Sequence, residues 1–401
     1  MNIVLSLRRA MRRSNLIRLP RISYRNPRDD KHSFLIAVLS FCVVILNACS
    51  SVQKVSQKDI SVPSVDWTKT LHFKEIRLWP KEFAVPSPFG NYVFQGSHFG
   101  FLRALNDRGK SLWQFDVPEG FTSSSLLVGE RVFVGALSGD FYCLEASTGK
   151  VVWKYPTQFP IHSKPVYAEG KVFFLTGDDN LVALNASSGK WLWNYKRERS
   201  ADAVTIFGSS SPALFGNKIF VGFSDGSAVA LSASNGSLRW GQKISHGTRF
   251  VDVDSTPYVD NNRAIFLSYE GAVYSLNSET GQVQWSNTTS GGVGFVVDDG
   301  FIYVANLLSE VVAYDVNKGA LKWTAKLEKS GSLTSPVIWK DALLVGDSNM
   351  GVWALDKKNG SILWKYKTKK GVSAVPAVLG DKAYVYSNIS KLYALEWRKE
   401  K

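Results

Sequence analysis

The sequence is poor in the residues that most often carry chemistry. Its 401 residues include 5 histidines, 3 cysteines and 3 methionines. The histidines (His32, His72, His98, His162 and His246) never form a His-x-x-x-His pair, and no Cys-x-x-Cys occurs. Zinc sites draw on such spacings, so no metal site is expected. There is no Gly-x-Ser-x-Gly elbow and no phosphate-cradling loop. Gly291-Gly292-Val293-Gly294 lacks the following helix that a dinucleotide site needs. Asp178-Asp179-Asn180 offers calcium-type oxygens but falls in a turn before a strand, where Asp and Asn bond locally. Cys42 lies in an apolar run and Cys49 just after it, so Cys143 stands alone among the later residues and no structural disulfide is expected there. Its neighbours Tyr142 and Leu144 supply no base, which argues against a nucleophile. We therefore expect no catalytic residue, no metal and no cofactor.

Long apolar runs are equally scarce. Phe34–Leu46 is a run of thirteen residues, short of the roughly 20 a membrane-spanning helix requires and suited to a signal-peptide core. It closes on Leu46-Asn47-Ala48-Cys49, which resembles the lipobox of bacterial lipoproteins. The resemblance implies cleavage before Cys49, acylation of Cys49 (palmitate-type chains) and, with Ser50 and Ser51 following, sorting to the outer membrane. An ordinary signal peptide with a chance cysteine is the alternative. Residues 1–48 are thus expected to be the signal peptide, and the polar residues 49–62 a lipid-anchored flexible tether.

Charge points away from nucleic acid. The chain is formally +14, but nine Arg or Lys against two Asp in residues 1–48 contribute +7, leaving 14 − 7 = +7 for the rest. Those remaining cations are scattered, not clustered.

What the sequence does have is a repeat. Its clearest copy is Gly271-Ala-Val-Tyr-Ser-Leu-Asn-Ser-Glu-Thr-Gly-Gln-Val-Gln-Trp285: a short strand, a glycine-bearing turn and a second strand ending on tryptophan. That is a β-hairpin signal. Copies end at Trp113, Trp153, Trp193, Trp240, Trp285, Trp323 and Trp364, with gaps of 40, 40, 47, 45, 38 and 41. Before most copies stands a proline motif (Ser-Lys-Pro165, Ser-Ser-Pro212, Ser-Thr-Pro257, Thr-Ser-Pro336, Ala-Val-Pro376) that opens another apolar run. Proline is tolerated at a strand's first residue. Each period therefore holds about four antiparallel strands, the content of a propeller blade.

An eighth strand copy, Lys391-Leu-Tyr-Ala-Leu395, has no following Gly-x-x-x-Trp, and Trp67 has no repeat before it. Pairing these two incomplete pieces closes a ring and removes the edge that an open solenoid would leave. The expectation is an all-β chain whose residues 63–401 form an eight-bladed β-propeller of four-stranded blades, closed by the N-terminal strand. A tryptophan at one place in every blade is expected to pack structurally, its N–H bonded to neighbouring backbone.

Two loops break the pattern. Ala203–Gly208 and Arg249–Ser255 follow the two longest gaps, and extra length in repeat proteins goes to loops on one face. The first carries apolar side chains and the second two carboxylates. On residue chemistry alone, core packing and turn capping account for them better than binding.

The Ala-Leu-(Asn/Asp)-x-x-x-Gly-x-x-x-Trp repeat resembles the pyrroloquinoline-quinone-type propeller repeat. Within it, Val251-Asp-Val-Asp-Ser-Thr-Pro257, Gly294–Tyr303, Leu333–Val337 with Leu344–Ser348, and Phe207–Pro212 resemble the BamB family of outer-membrane β-barrel assembly lipoproteins. The resemblance implies a non-catalytic scaffold that is lipid-anchored at the outer membrane, faces the periplasm and binds BamA through a POTRA domain. It implies contacts at Val204, Ile206, Phe207, Asp252 and Asp254, and it turns the two loops from core to binding. Phe207 stands where the family pattern carries arginine, and Arg249 or Arg239 is a candidate to supply that charge. Exposed blade edges that take up unfolded outer-membrane proteins are a further expectation. The rival readings are an envelope propeller with another protein partner, and a quinoprotein dehydrogenase, whose vicinal cysteine pair this sequence lacks.

Overall fold

The computed structural model describes residues 63–72, 81–197, 210–245, 250–328 and 330–397. The signal-peptide and tether expectations for 1–48 and 49–62, Cys49 included, lie outside them. Described residues form eight four-stranded antiparallel sheets and no helix. Numbered along the chain, blades one to seven span 87–116, 126–156, 166–196, 213–243, 258–288, 292–326 and 337–367. Each is a plain meander of four consecutive strands ending on an exposed outer one; the inner strand is short except in blade six, where it spans Gly292–Asp298. Blade eight combines Ala377–Leu379, Lys382–Ser387 and Lys391–Glu396 with Ser64–Thr70 from the other end of the chain. The expected closure by the strand around Trp67 is therefore what the chain adopts.

The repeat is explained by one joint between neighbouring blades. In blade two, Gly149 turns with φ +74°, and a Cβ there would lie 2.6 Å from the ring of Trp113 in blade one. Only glycine combines that backbone conformation with so close an approach. The same contact joins Trp67 to Gly109, Trp153 to Gly189, Trp193 to Gly236, Trp240 to Gly281, Trp285 to Gly319 and Trp323 to Gly360. The indole N–H of Trp67, Trp113, Trp153, Trp240 and Trp323 donates to a backbone carbonyl of the next blade, at 2.8–3.3 Å. Trp193 and Trp364 lack such a bond. Among the described residues no glycine packs on Trp364, which meets Trp339, and Trp339 also packs edge-on against Trp397.

The Ser/Thr of the proline motif has a structural task too. Ser163 Oγ both donates to Leu175 O and accepts from Leu175 N, each at 2.8 Å. Ser255 repeats this with Leu267, and Thr334 Oγ1 accepts from Gly346 N. The hydroxyl thus replaces a ladder bond just before the proline that cannot make one. Between blades, aromatic and aliphatic side chains from facing sheets form the cores, such as Phe141 stacked on Phe174 at 4.0 Å.

Candidate functional site

Loops that join one blade's outer strand to the next blade's inner strand share a face with the turns between the two middle strands. The chain from 244 to 257 is one of the longest of them. From Phe250 onward its path is set by packing. Val253 is buried among Phe220, Ala228 and Phe266, and its N–H donates to Phe223 O at 3.1 Å. Its carbonyl lies over Gly222, where a Cβ would come within 2.2 Å. Tyr269 N donates to Asp252 O at 2.8 Å. These contacts turn Asp252 fully inward, at 0% exposure, while Asp254 remains half-exposed. Of the two carboxylates foreseen on this loop, only Asp254 reaches the surface.

The neighbouring loop meets it at its end. Ser210 Oγ donates to Ser255 O at 3.0 Å and accepts from Gly222 N. Ser210 is the first described residue after 198–209, so the two unrepeated loops converge at their C-terminal ends. Val204, Ile206, Phe207 and Arg249 themselves lie outside the described residues. Arg239 is on the outer strand of blade four, one residue before Trp240, and not on this loop.

Sequence reasoning passed over three apolar side chains on this face. Phe250 is 40% exposed, held at φ +57°, with its ring 6.2 Å from Tyr269. A bulky residue in the left-handed region is uncommon and marks a constrained loop. Tyr269 O in turn accepts from Gly292 N, and Leu307 N donates to the Ser290 and Gly291 carbonyls. Leu307 packs on Gly291, and both Leu307 and Leu308 are exposed. Comparing copies reveals the signal. The equivalent residues of the other middle turns are His98-Phe99, Leu137-Ser138, Gly177-Asp178, Ser224-Asp225, Tyr269-Glu270, Ser348-Asn349 and Asn388-Ile389, each with at least one polar side chain, and Leu307-Leu308 puts two aliphatics there. The face therefore carries Phe250, Tyr269, Leu307 and Leu308 beside the carboxylates of Asp254 and Glu270.

Nothing at the other sequence candidates points to catalysis. Asp179 accepts from both the N–H and the hydroxyl of Ser224 in the next blade, and Asp178 pairs with Lys196 at 2.8 Å, as turn residues do. A groove of about 200 Å³ lies beside them, and Lys196 crosses it between Asp178 and the ring of Phe159. Cys143 is buried, and burial pushes its thiol up to about 11, far from a reactive thiolate. Among the described residues no three His, Cys, Asp or Glu gather in a way that could hold a metal ion.

The profile of the family described as outer membrane protein assembly factor BamB matches residues 98–324 and 307–399. The chain belongs to the BamB family. BamB of Moranella endobia is 27% identical over 328 residues, 77% of this chain and 84% of that protein. BamB of Shewanella oneidensis is 26% identical over 146 residues, 36% of this chain and 37% of its own length. The crystal structure of BamB from Moraxella catarrhalis superposes with a TM-score of 0.74 at 20% identity, covering 84% of this chain and all of that one. The fold is shared more widely: quinohemoprotein alcohol dehydrogenase from Comamonas testosteroni gives a TM-score of 0.67 at 13% identity, over 87% of this chain and 78% of that one.

Proposed function

We propose that this chain is a non-catalytic scaffold of the outer-membrane β-barrel assembly complex, acylated at Cys49 and facing the periplasm, that docks on BamA through the unrepeated loop face. Membership of the BamB family carries the reading. The loop face supports it, because two of the longest connections converge there and apolar side chains stand in the open. Phe250, Leu307 and Leu308 form its apolar centre, and Val204, Ile206, Phe207 and Arg249 are the further contacts that the reading assigns to the same partner. Asp254 flanks the apolar centre. Apolar anchors supply most interface energy, and the charges set orientation and association rate. Asp252, being buried, shapes the loop from beneath.

Co-purification from detergent-solubilised outer membranes tests the reading. BamA is expected to come down with the acylated wild-type chain, and its absence would sink the assembly role. The dehydrogenase alternative shares the fold, which alone does not confer activity. Adding the quinone with calcium and following dye-linked oxidation of alcohols or sugars is expected to give no turnover.

A further inference from the structure

A second departure from the repeat lies on the outer rim, at the opposite end of the outer strands from the loop face. In every blade the residue just before the docking tryptophan is a β-bulge. In blade one, for example, Trp113 pairs with Ala104 and Ser111 with Leu105, which leaves Leu112 unpaired. A bulge residue is pushed out of the ladder, so its chemistry is free to vary. It is Asp66, Arg239, Gln284 and Lys322 in blades eight, four, five and six, and Leu363, half-buried against the core, in blade seven, but Leu112, Val152 and Leu192 in the consecutive blades one, two and three. All three of those aliphatics are exposed.

The same three blades share another exception. Three residues before the tryptophan stand Lys110, Lys150 and Lys190, where blades four to seven have Ser237, Gln282, Ala320 and Ser361. These lysines are exposed, and none makes an ion pair among the described residues. Trp191, 55% exposed, lies between Lys190 and Leu192. The tryptophan–glycine joints make the rim continuous, since Trp113 sits on Gly149 beside Lys150, and Trp153 on Gly189 beside Lys190.

We infer that the rim of blades one to three rests on the bilayer surface, with Lys110, Lys150 and Lys190 on anionic headgroup phosphates and Leu112, Val152, Trp191 and Leu192 in the interfacial layer. Indole rings and aliphatics fringed by lysine suit that boundary, where one end of each side chain is apolar and the other wet. The partner is a phosphate-bearing lipid surface because an exposed lysine accompanies the exposed apolar side chains in each of the three blades. This rests on the Cys49 reading only for delivery to the membrane.

The test uses the acylated chain in vesicles of phosphatidylglycerol and phosphatidylethanolamine with brominated chains. A fluorophore is placed at Leu192→Cys or, at the same bulge position across the ring, at Lys322→Cys. Buried Cys143 stays unlabelled. Flotation reports whether the chain is on the bilayer at all, and quenching by bromine reports which rim touches it. We expect flotation with both, quenching at 192 and not at 322, and loss of quenching at 192 in Lys110→Glu/Lys150→Glu/Lys190→Glu. Flotation without quenching at 192, or with equal quenching at both positions, overturns the rim and leaves the anchor standing. Failure to float overturns both. Quenching that survives the triple charge reversal overturns the headgroup contact. An emission shift at 192 that grows with protein concentration in detergent alone assigns the rim to a second copy and overturns the lipid assignment.

Discussion

Glu82 has no counterpart in the repeat, and it ties the ring's two ends together. Its side chain is fully buried. Oε1 accepts from Ser97 of blade one and from Tyr386 and Ser390 of blade eight at 2.7, 3.2 and 2.8 Å, and Oε2 accepts from His98 N at 3.1 Å. Removing one partner of a buried charged network leaves the others unsatisfied, so Glu82→Ala is expected to cost about 3–5 kcal/mol in denaturant unfolding. Glu82→Gln keeps an acceptor in place and should cost less than half as much. Equal losses would show that the acceptor is irrelevant. Lys357 is a second such residue. Its ammonium bonds Asp298 at 2.7 Å and Asp299 at 2.6 Å in the preceding blade, and these bonds raise its pKa above the ordinary 10.5. A raised lysine stabilises the fold fully below 10.5 and less and less as pH climbs above it. Lys357→Met should therefore lower Tm at neutral pH and flatten its fall on the alkaline side. An unchanged alkaline slope would contradict the assignment.

At the scale of the hairpin, the spacing of glycine and tryptophan was legible because the contact repeats and so leaves the same trace seven times. What it did not show was direction: each tryptophan but Trp364 serves the next blade's turn, not its own. Adding a Cβ at Gly109 or Gly149 pushes into an indole 2.6 Å away and strains a positive φ, at a cost on the order of 1–3 kcal/mol for the strain alone. The two differ in consequence. Gly109→Ala undocks Trp67, which lies on the strand that closes blade eight, so amide exchange should accelerate along Lys391–Glu396. Gly149→Ala should leave that strand protected. Equal exchange in the two variants would mean that Trp67 does not hold the closure. The loop Arg249–Ser255 was legible as an exception but not in its detail. Val-Asp-Val-Asp gives no hint that a carboxylate points inward, because the direction is set by Val253 seated under Phe223, a contact 30 residues apart in sequence. For this reason Asp252→Arg would disturb the loop itself and report little about a partner.

Across the whole molecule, blade count, closure and class followed from period and composition, since a ring of near-identical units asks the same residues of every blade. Sites do not repeat, and their signal lies in departures: long loops before blades four and five, Leu307-Leu308 in blade six, and the Lys-x-aliphatic-Trp run of blades one to three. Phe250 went unnoticed because a single aromatic in a loop has no pattern around it. The lipid reading of Cys49 rests on local motif alone. The central claim is that the unrepeated face, and not the repeated hairpins, carries recognition, and the affinity of the chain for the purified periplasmic domains of BamA tests it most directly. With unfolding curves confirming intact folds, Phe250→Glu/Asp254→Arg should weaken binding at least about 30-fold, the equivalent of losing one ~2 kcal/mol anchor, while Leu321→Glu on the opposite rim leaves it unchanged. Equal binding by the loop variant and the wild type, or loss at Leu321→Glu instead, would contradict it.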